Sequence, residues 1–115
     1  MSGRIRATRT EVDGHMFASK REANRYLELK LLERAKKIIG LTLQVRIQIS
    51  IRDVPILMRS ARYPNGRHLT YVADFMYYDA TTHKKVVEDC KGHRTDVYKL
   101  KLALVQAMGL EILET

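Results

Sequence analysis

Apolar residues change their spacing along the chain, and this change separates predicted helices from predicted strands. Over residues 19–39 they recur every three or four positions, which builds one apolar stripe along a helix. The stripe consists of Ala23, Leu27, Leu31, Ala35 and Ile38. Ser19 followed by Glu22 has the spacing of a capping box, and Gly40 is a stop signal. The pattern therefore predicts a first helix that runs up to Gly40.

The period then becomes two, which is typical of half-buried strands. Apolar and polar residues alternate over residues 41–52, and residues 53–55 break the alternation. An Asn65-Gly66 pair follows and favours a hairpin turn. Two further strands are predicted over residues 68–78 and 84–91.

A second helix is predicted over residues 96–108, with Thr95 as its cap and Gly109 as its end. Its apolar stripe consists of Val97, Leu100, Leu104 and Met108. Residues 110–113 form a short last strand, which we expect to lie parallel to an earlier one because a helix connects them. The order predicts a single α/β domain, with a mixed sheet flanked by helices, over residues 16–115. Residues 1–15 are predicted to be a basic N-terminal arm, or at most a short edge strand.

Charge is the first indication of function. Lys and Arg number 21 against 13 Asp and Glu, which gives a net charge of +8 and a pI near 9.8. Such an excess suits a polyanionic partner, above all nucleic acid, and no basic amphipathic helix with a bulky apolar face favours a membrane surface.

The single cysteine, Cys90, excludes an internal disulfide and indicates a reducing compartment. No apolar run approaches the ~18 residues of a membrane span. The first ten residues also lack the apolar core of a signal peptide. We therefore expect a cytoplasmic protein.

Candidate chemistry lies in Ala73-Asp74 and in Glu88-Asp89-Cys90-Lys91. A turn near residue 81 would pair positions whose numbers sum to about 163, which brings Asp74 beside Asp89. Asp89 and Lys91 share one face of their strand, whereas Glu88 points the other way unless a bulge intervenes. Two adjacent carboxylates favour a hard divalent cation such as Mg²⁺, and a nearby lysine suits hydrolysis of a phosphodiester. Asp-x-Lys alone is a weak motif, and the alternative is an ordinary surface ion pair.

The stretches YVADFMY, VVEDCKGHRT and YKLKLAL, together with SKREANRYLELK before them, resemble the PD-(D/E)xK nucleases over most of residues 17–114. Small phage nucleases and archaeal-type Holliday-junction resolvases are the most similar members. The resemblance implies a restriction-endonuclease-like domain that cleaves branched DNA as a homodimer, using Mg²⁺ or, as a substitute, Mn²⁺. It implies that Asp74 and Asp89 are metal ligands and that Lys91 is catalytic. Ala73 replaces the proline of the motif, which is not a ligand.

Glu22 has two interpretations. It matches the helical glutamate that many members of that family add to the metal site, but its spacing from Ser19 also suits a purely structural cap. His93 and His15 are more simply surface residues, and no spacing of His and Cys suits zinc.

Phosphate contacts are expected from basic residues around the acidic pair. The candidates are Arg4, Arg6, Arg9, Lys20, Arg21, Arg25, Arg94, Lys99 and Lys101. The sequence leaves open a less selective DNA nuclease and a basic nucleic-acid-binding module without catalysis. A sequence-specific restriction enzyme is disfavoured, because the chain has little room for a base-reading domain.

Overall fold

A mixed four-stranded sheet with a helix on each face forms the centre of the protein. The computed structural model describes residues 8–90, 92 and 94–115. The observed architecture confirms the predicted α/β class and the flanking of the sheet by helices. No helix among these described residues has the length and apolar character needed to span a membrane.

The elements follow one another in chain order. They are β1 (Thr10–Val12), β2 (His15–Phe17), α1 (Lys20–Arg34), β3 (Ile38–Gln48), β4 (Ser50–Ile51), β5 (Val54–Pro55), β6 (Leu57–Met58), β7 (Arg67–His68), β8 (Thr70–Asp79), β9 (Lys85–Asp89), α2 (Asp96–Ala107) and β10 (Ile112–Glu114). The central sheet has the order β10-β9-β8-β3. All its neighbours are antiparallel except β10 and β9, which are parallel as the helix crossover predicted.

The first helix ends earlier than predicted. It stops at Arg34, because Lys36 adopts a left-handed conformation with φ 60°. The amides of Lys36 and Lys37 then donate to the carbonyls of Glu33 and Leu32, which is the hydrogen-bond pattern of a Schellman motif. Lysine takes the place usually held by glycine, so the sequence carried no stop signal there.

Gly40, predicted to end the helix, instead lies inside β3 with φ 71°. The pairing of β3 with β8 shifts register between Ile39 and Thr42, so this glycine serves a β-bulge.

The buried stripe of α1 also differs from the prediction. It consists of Glu22, Ala23, Tyr26 and Leu29, whereas Leu27 and Leu31 are exposed. The three apolar members of this stripe pack with Phe17, Phe75 and Tyr77 in one hydrophobic cluster. The sheet lies against the side of α1 that carries the tyrosine and Leu29, which spacing alone did not reveal.

The second helix is rotated relative to its predicted stripe. Val105 is fully buried, and Tyr98, Leu102 and Leu104 pack around the cluster that also contains Tyr71 and Val87. Val97 and Leu100 are 62% and 61% exposed, so of the predicted stripe only Leu104 belongs to that cluster. Thr95 caps the helix and Gly109, with φ 95°, follows its end, as predicted.

The N-terminal segment, where described, is part of the domain. β1 and β2 form a hairpin, and Phe17 is buried in the α1 cluster. The Tyr26 hydroxyl donates to Asp13 in the hairpin turn at 3.0 Å. A boundary at residue 15 would therefore cut this hairpin, while residues 1–7 of the predicted arm lie outside the described residues.

Two small hairpins connect β3 to β8. β4 pairs with β5 through a turn in which Arg52 and Asp53 both have positive φ, so the break predicted over residues 53–55 begins one residue earlier and Val54–Pro55 is a strand. β6 pairs with β7, and the loop between them contains the predicted turn at Asn65 and Gly66.

Candidate active site

The register of the two central strands brings Asp74 and Asp89 together. Every recorded pair between β8 and β9, from Phe75 with Glu88 to Tyr78 with Lys85, has residue numbers that add to 163. Extending this antiparallel ladder by one pair places Asp74 opposite Asp89. The predicted sum of about 163 is therefore confirmed for the four pairs from Phe75 to Tyr78.

Both carboxylates are buried and held by groups of the sheet. Asp74 Oδ2 accepts a hydrogen bond from the Cys90 backbone N–H at 2.8 Å. Asp89 Oδ2 accepts a hydrogen bond from the Tyr71 hydroxyl. Asp74 is 5% exposed and Asp89 is fully buried. Each carboxylate is thus oriented by a group from the neighbouring strand or from the chain just beyond it.

β8 changes its packing partner at Asp74. Ala73 packs in the cluster beside α2, whereas Phe75 packs in the cluster beside α1. In a regular strand, residues two apart share a face, so the strand is irregular here. Gln44, which the register places opposite Asp74, has a left-handed φ of 53°. Irregular strand positions often re-aim a side chain next to a functional site.

Glu88 has a structural environment that differs from that of Asp89. Its two carboxylate oxygens accept hydrogen bonds from Arg25 Nε and Nη2, both at 2.8 Å, and the Tyr77 hydroxyl donates to it as well. Arg25 belongs to α1, so Glu88 faces that helix while Asp89 contacts Tyr71 of the α2 cluster. The structure therefore gives Glu88 a role in joining helix to sheet.

Tyr71 links the carboxylate pair to α2. Its ring centroid lies 6.1 Å from that of Tyr98, whose hydroxyl donates to Glu114 at 3.0 Å. Burial, and then its hydrogen bond to Asp89, raise the pKa of Tyr71 well above its usual value. Burial raises the pKa of Tyr98 to about 12. Both phenols remain protonated near neutral pH, so Tyr71 stays a hydrogen-bond donor to Asp89.

Glu22 approaches this region through Gln44. The Ser19 side chain accepts from the Glu22 backbone N–H at 3.1 Å, which confirms half of the predicted capping box. The Glu22 carboxylate itself accepts from Gln44 Nε2 at 3.3 Å and is buried. The Glu22 carboxylate therefore contacts the residue that the register places opposite Asp74.

The oxygen donors of this region suit a hard divalent cation. Within the described part of the chain, no three His, Cys, Asp or Glu side chains are grouped closely enough to hold a metal. Mg²⁺, however, commonly takes only one or two protein carboxylates and completes its shell with water and phosphate oxygens. Two carboxylates such as Asp74 and Asp89 are sufficient for that arrangement.

Several residues of the predicted site are not among those that the structure describes. Lys91, the predicted catalytic lysine, and His93 lie outside the described residues, as do Arg4 and Arg6. The neighbouring Cys90 is buried, and burial raises the pKa of its thiol.

Two of the predicted phosphate contacts already have protein partners. Arg25 binds Glu88 and, through Nη1, Glu28 at 2.8 Å. Arg94 Nε lies 2.6 Å from Glu114 Oε2. Their guanidinium groups thus have a structural function, which sequence reasoning did not anticipate.

The other predicted phosphate contacts remain at the surface. Arg21 lines a small groove together with Cys90, close to the end of the β9 strand. Lys101 lines a groove on the α2 side of the sheet. Arg9, Lys20 and Lys99 are exposed.

Sequence reasoning missed Tyr71 and Gln44 as neighbours of the carboxylates. Both lie in alternating strand segments where polar or aromatic residues are ordinary. The register rule could have placed Gln44 only after the shift between Ile39 and Thr42 was known. No local signal in the sequence indicates these contacts.

Comparison with known proteins identifies one family. A family model described as "Protein of unknown function (DUF1064)" matches residues 2–112. No curated protein and no solved structure matches the chain.

Proposed function

The chain belongs to the DUF1064 family, and we propose that it is a metal-dependent DNA endonuclease of the PD-(D/E)xK type. The observation that carries the proposal is the burial of Asp74 and Asp89 on adjacent antiparallel strands, where Asp74 accepts from the Cys90 N–H next to Asp89. The helix–three strands–helix–strand order of α1, β3, β8, β9, α2 and β10 supports it as well. The net charge of +8 suits a polyanionic substrate.

The metal site would hold Mg²⁺, or Mn²⁺ in its place, through Asp74 and Asp89. Glu22, whose carboxylate accepts from Gln44, would be a third ligand. The bound ion would activate water and stabilise charge on the phosphate. Tyr71 would fix the orientation of Asp89, and the Cys90 N–H that of Asp74. Lys91, two residues after Asp89, would stabilise the developing negative charge. Water would form a new P–O bond, one P–O ester bond would break, and the leaving oxygen would take a proton.

We further propose branched DNA, most notably the four-way junction, as substrate and a homodimer as the active form. Two symmetric active sites would cut two strands of a symmetric junction. The resemblance to junction-resolving nucleases supports this choice. A cytoplasmic location suits the buried, unbridged Cys90.

The test compares cleavage of a labelled synthetic four-way junction with that of a linear duplex of equal length. Each substrate is incubated with Mg²⁺ or with EDTA. Asp89→Asn and Asp74→Asn remove one charge at the site with little change of shape. Asp53→Asn is the matched control, because Asp53 is exposed in a turn where asparagine also tolerates positive φ.

Metal-dependent cutting of the junction, lost in both site variants and kept in the control, is the expected result. Equal cutting of junction and duplex would retain the nuclease and remove the junction preference, leaving a less selective enzyme. Tight DNA binding without cleavage, unchanged by Asp89→Asn, would refute the proposal and leave a basic binding module.

A further inference from the structure

A large open groove lies at the end of the sheet where β3 and β8 meet the small hairpins. Its volume is about 670 Å³, and its walls include Arg46 of β3, Arg59 and Tyr63 of the β6–β7 loop, and Arg67 of β7. Lys101 of α2 closes the other side. Apart from Lys101, no residue of this groove was among the predicted DNA contacts.

The groove is basic and has no compensating acids. The lining contains three arginines, one lysine and one histidine, but neither Asp nor Glu. Within the described part of the chain, none of the ion pairs involves Arg46, Arg59 or Lys101. This situation contrasts with Arg25 and Arg94, whose guanidinium groups are held by carboxylates. The groove cations are therefore available to an external anion.

The Tyr63 ring has two arginines close to it, of which Arg67 lines the groove. The guanidinium carbons of Arg62 and Arg67 lie 5.7 and 5.4 Å from its ring centroid. Each cation is attracted to the ring face, but the two like charges repel each other. A phosphate group bound by Arg67 in the groove would offset part of this repulsion and would accept hydrogen bonds from a forked donor.

The groove continues toward the carboxylate pair. A second groove of about 320 Å³ shares Thr70, Val72 and Lys101 with the first. Its remaining wall includes Tyr71 and Tyr98. Tyr71 is the residue whose hydroxyl binds Asp89. The two grooves thus adjoin at Thr70, Val72 and Lys101 and form one path from the β6–β7 hairpin to Tyr71, with its basic residues concentrated in the first groove.

We infer that this path binds the sugar–phosphate backbone of one DNA strand and leads it to the active site, with Arg59, Arg67 and Tyr63 as its outer contacts. The inference deepens the proposed nuclease function and rests on it for the identity of the substrate. A basic groove with an exposed aromatic ring is the usual way in which proteins follow a single strand. The connection between β3 and β8 would then be a substrate-binding element.

The test measures binding in EDTA, where no cleavage occurs, so its readout is independent of catalysis. A labelled single-stranded oligonucleotide and its duplex are titrated with wild type and with Arg59→Gln/Arg67→Gln at several salt concentrations. The matched control is Arg34→Gln/Lys84→Gln. Arg34 and Lys84 are exposed and lie by the Ile38–Asp79 pair, at the other end of the sheet. Thermal unfolding verifies that all variants are folded.

The control and the groove variant lose the same net charge. A difference between their DNA affinities therefore shows that the location of the lost charges matters. Two lost phosphate contacts should lower the salt slope by about 1.4 and weaken single-strand binding roughly 25-fold at about 0.1 M salt. Tyr63→Leu should weaken binding about fivefold or more without changing the slope, because it removes no charge.

Equal losses in groove and control variants, or no loss in the groove variant, would overturn the inference. Polyglutamate bound as tightly as DNA, with the same loss in the variant, would also overturn it by revealing a general polyanion site. If Mg²⁺ supports no cleavage but the groove variant still binds weakly, the nuclease proposal fails and the DNA-binding groove stands.

Discussion

Removing Arg25 should destabilise the protein more than removing Arg25 and Glu88 together. The Glu88 side chain is fully buried, and its carboxylate has both oxygens bonded to Arg25. In Arg25→Met the negative charge of Glu88 would remain in the interior with the Tyr77 hydroxyl as its donor. Breaking a buried ion pair in this way typically costs about 3–5 kcal/mol of unfolding free energy.

The structure sets the expected value near the lower end of that range. The Arg25 side chain is 23% exposed, so water can reach the vacated position and solvate part of the charge. In Arg25→Met/Glu88→Met no charge is left, and apolar replacement of a buried pair is often neutral or better. The remaining cost is the lost acceptor of the Tyr77 hydroxyl, about 1 kcal/mol. We therefore expect losses of about 3 kcal/mol for the single and about 1 kcal/mol for the double variant.

Urea unfolding at neutral pH, with both variants and wild type fitted for their slopes, measures these free energies. Arg34→Met is the control, since an exposed arginine at the end of α1 should change stability by less than about 0.5 kcal/mol. A single variant as stable as the control, or a double variant less stable than the single, would refute the reasoning.

The Arg25→Met/Glu88→Met variant also distinguishes a structural role of Arg25 from a role in binding phosphate. If its guanidinium is committed to Glu88, the double variant should keep the DNA affinity and salt slope of wild type in EDTA. A salt slope lower by about 0.7–0.9 would instead assign Arg25 to a phosphate, as its position on the first helix suggested.

Three further predictions follow from individual side chains. Tyr71→Phe removes the donor to Asp89, so the Mg²⁺ concentration for half-maximal cleavage should rise about 10–100-fold; an unchanged requirement would contradict that positioning role. Gly66→Ala should lower the free energy of unfolding in urea by about 1–2 kcal/mol or more, because φ is 95° and the new Cβ would lie 2.8 Å from Leu57 Cβ. Unaltered stability would show that the hairpin turn tolerates the methyl group. Burial and the bond to Glu88 raise the pKa of Tyr77 to about 12, so the unfolded chain loses this proton first and stability should fall as pH rises from about 10 to 12. The unfolding free energy of wild type should fall more steeply with pH than that of Tyr77→Phe, by up to about 1.4 kcal/mol per pH unit. Parallel curves for the two proteins would contradict the raised pKa of Tyr77.

Local signals were sufficient where a single residue begins or ends a helix. Thr95 and Gly109 bound the second helix as predicted, because capping and left-handed conformations are properties of single residues. They failed at Lys36, which adopts the left-handed position without being glycine and ends α1 before Gly40. Periodicity likewise predicted amphipathic helices but chose the wrong stripe on both, since the sheet decides which side is covered.

What the sequence determined by itself is the pairing of Asp74 with Asp89. A strand has a period of two and the turn between β8 and β9 is short, so few registers are possible. The tertiary structure alone decided which charged groups are free to bind a ligand. Arg25 and Arg94 are held by Glu88 and Glu114, acids distant from them in sequence. The groove of Arg46, Arg59 and Arg67 forms only when β3, the small hairpins and α2 are brought together. Ion pairing depends on distances in space, and those distances exist only in the folded chain.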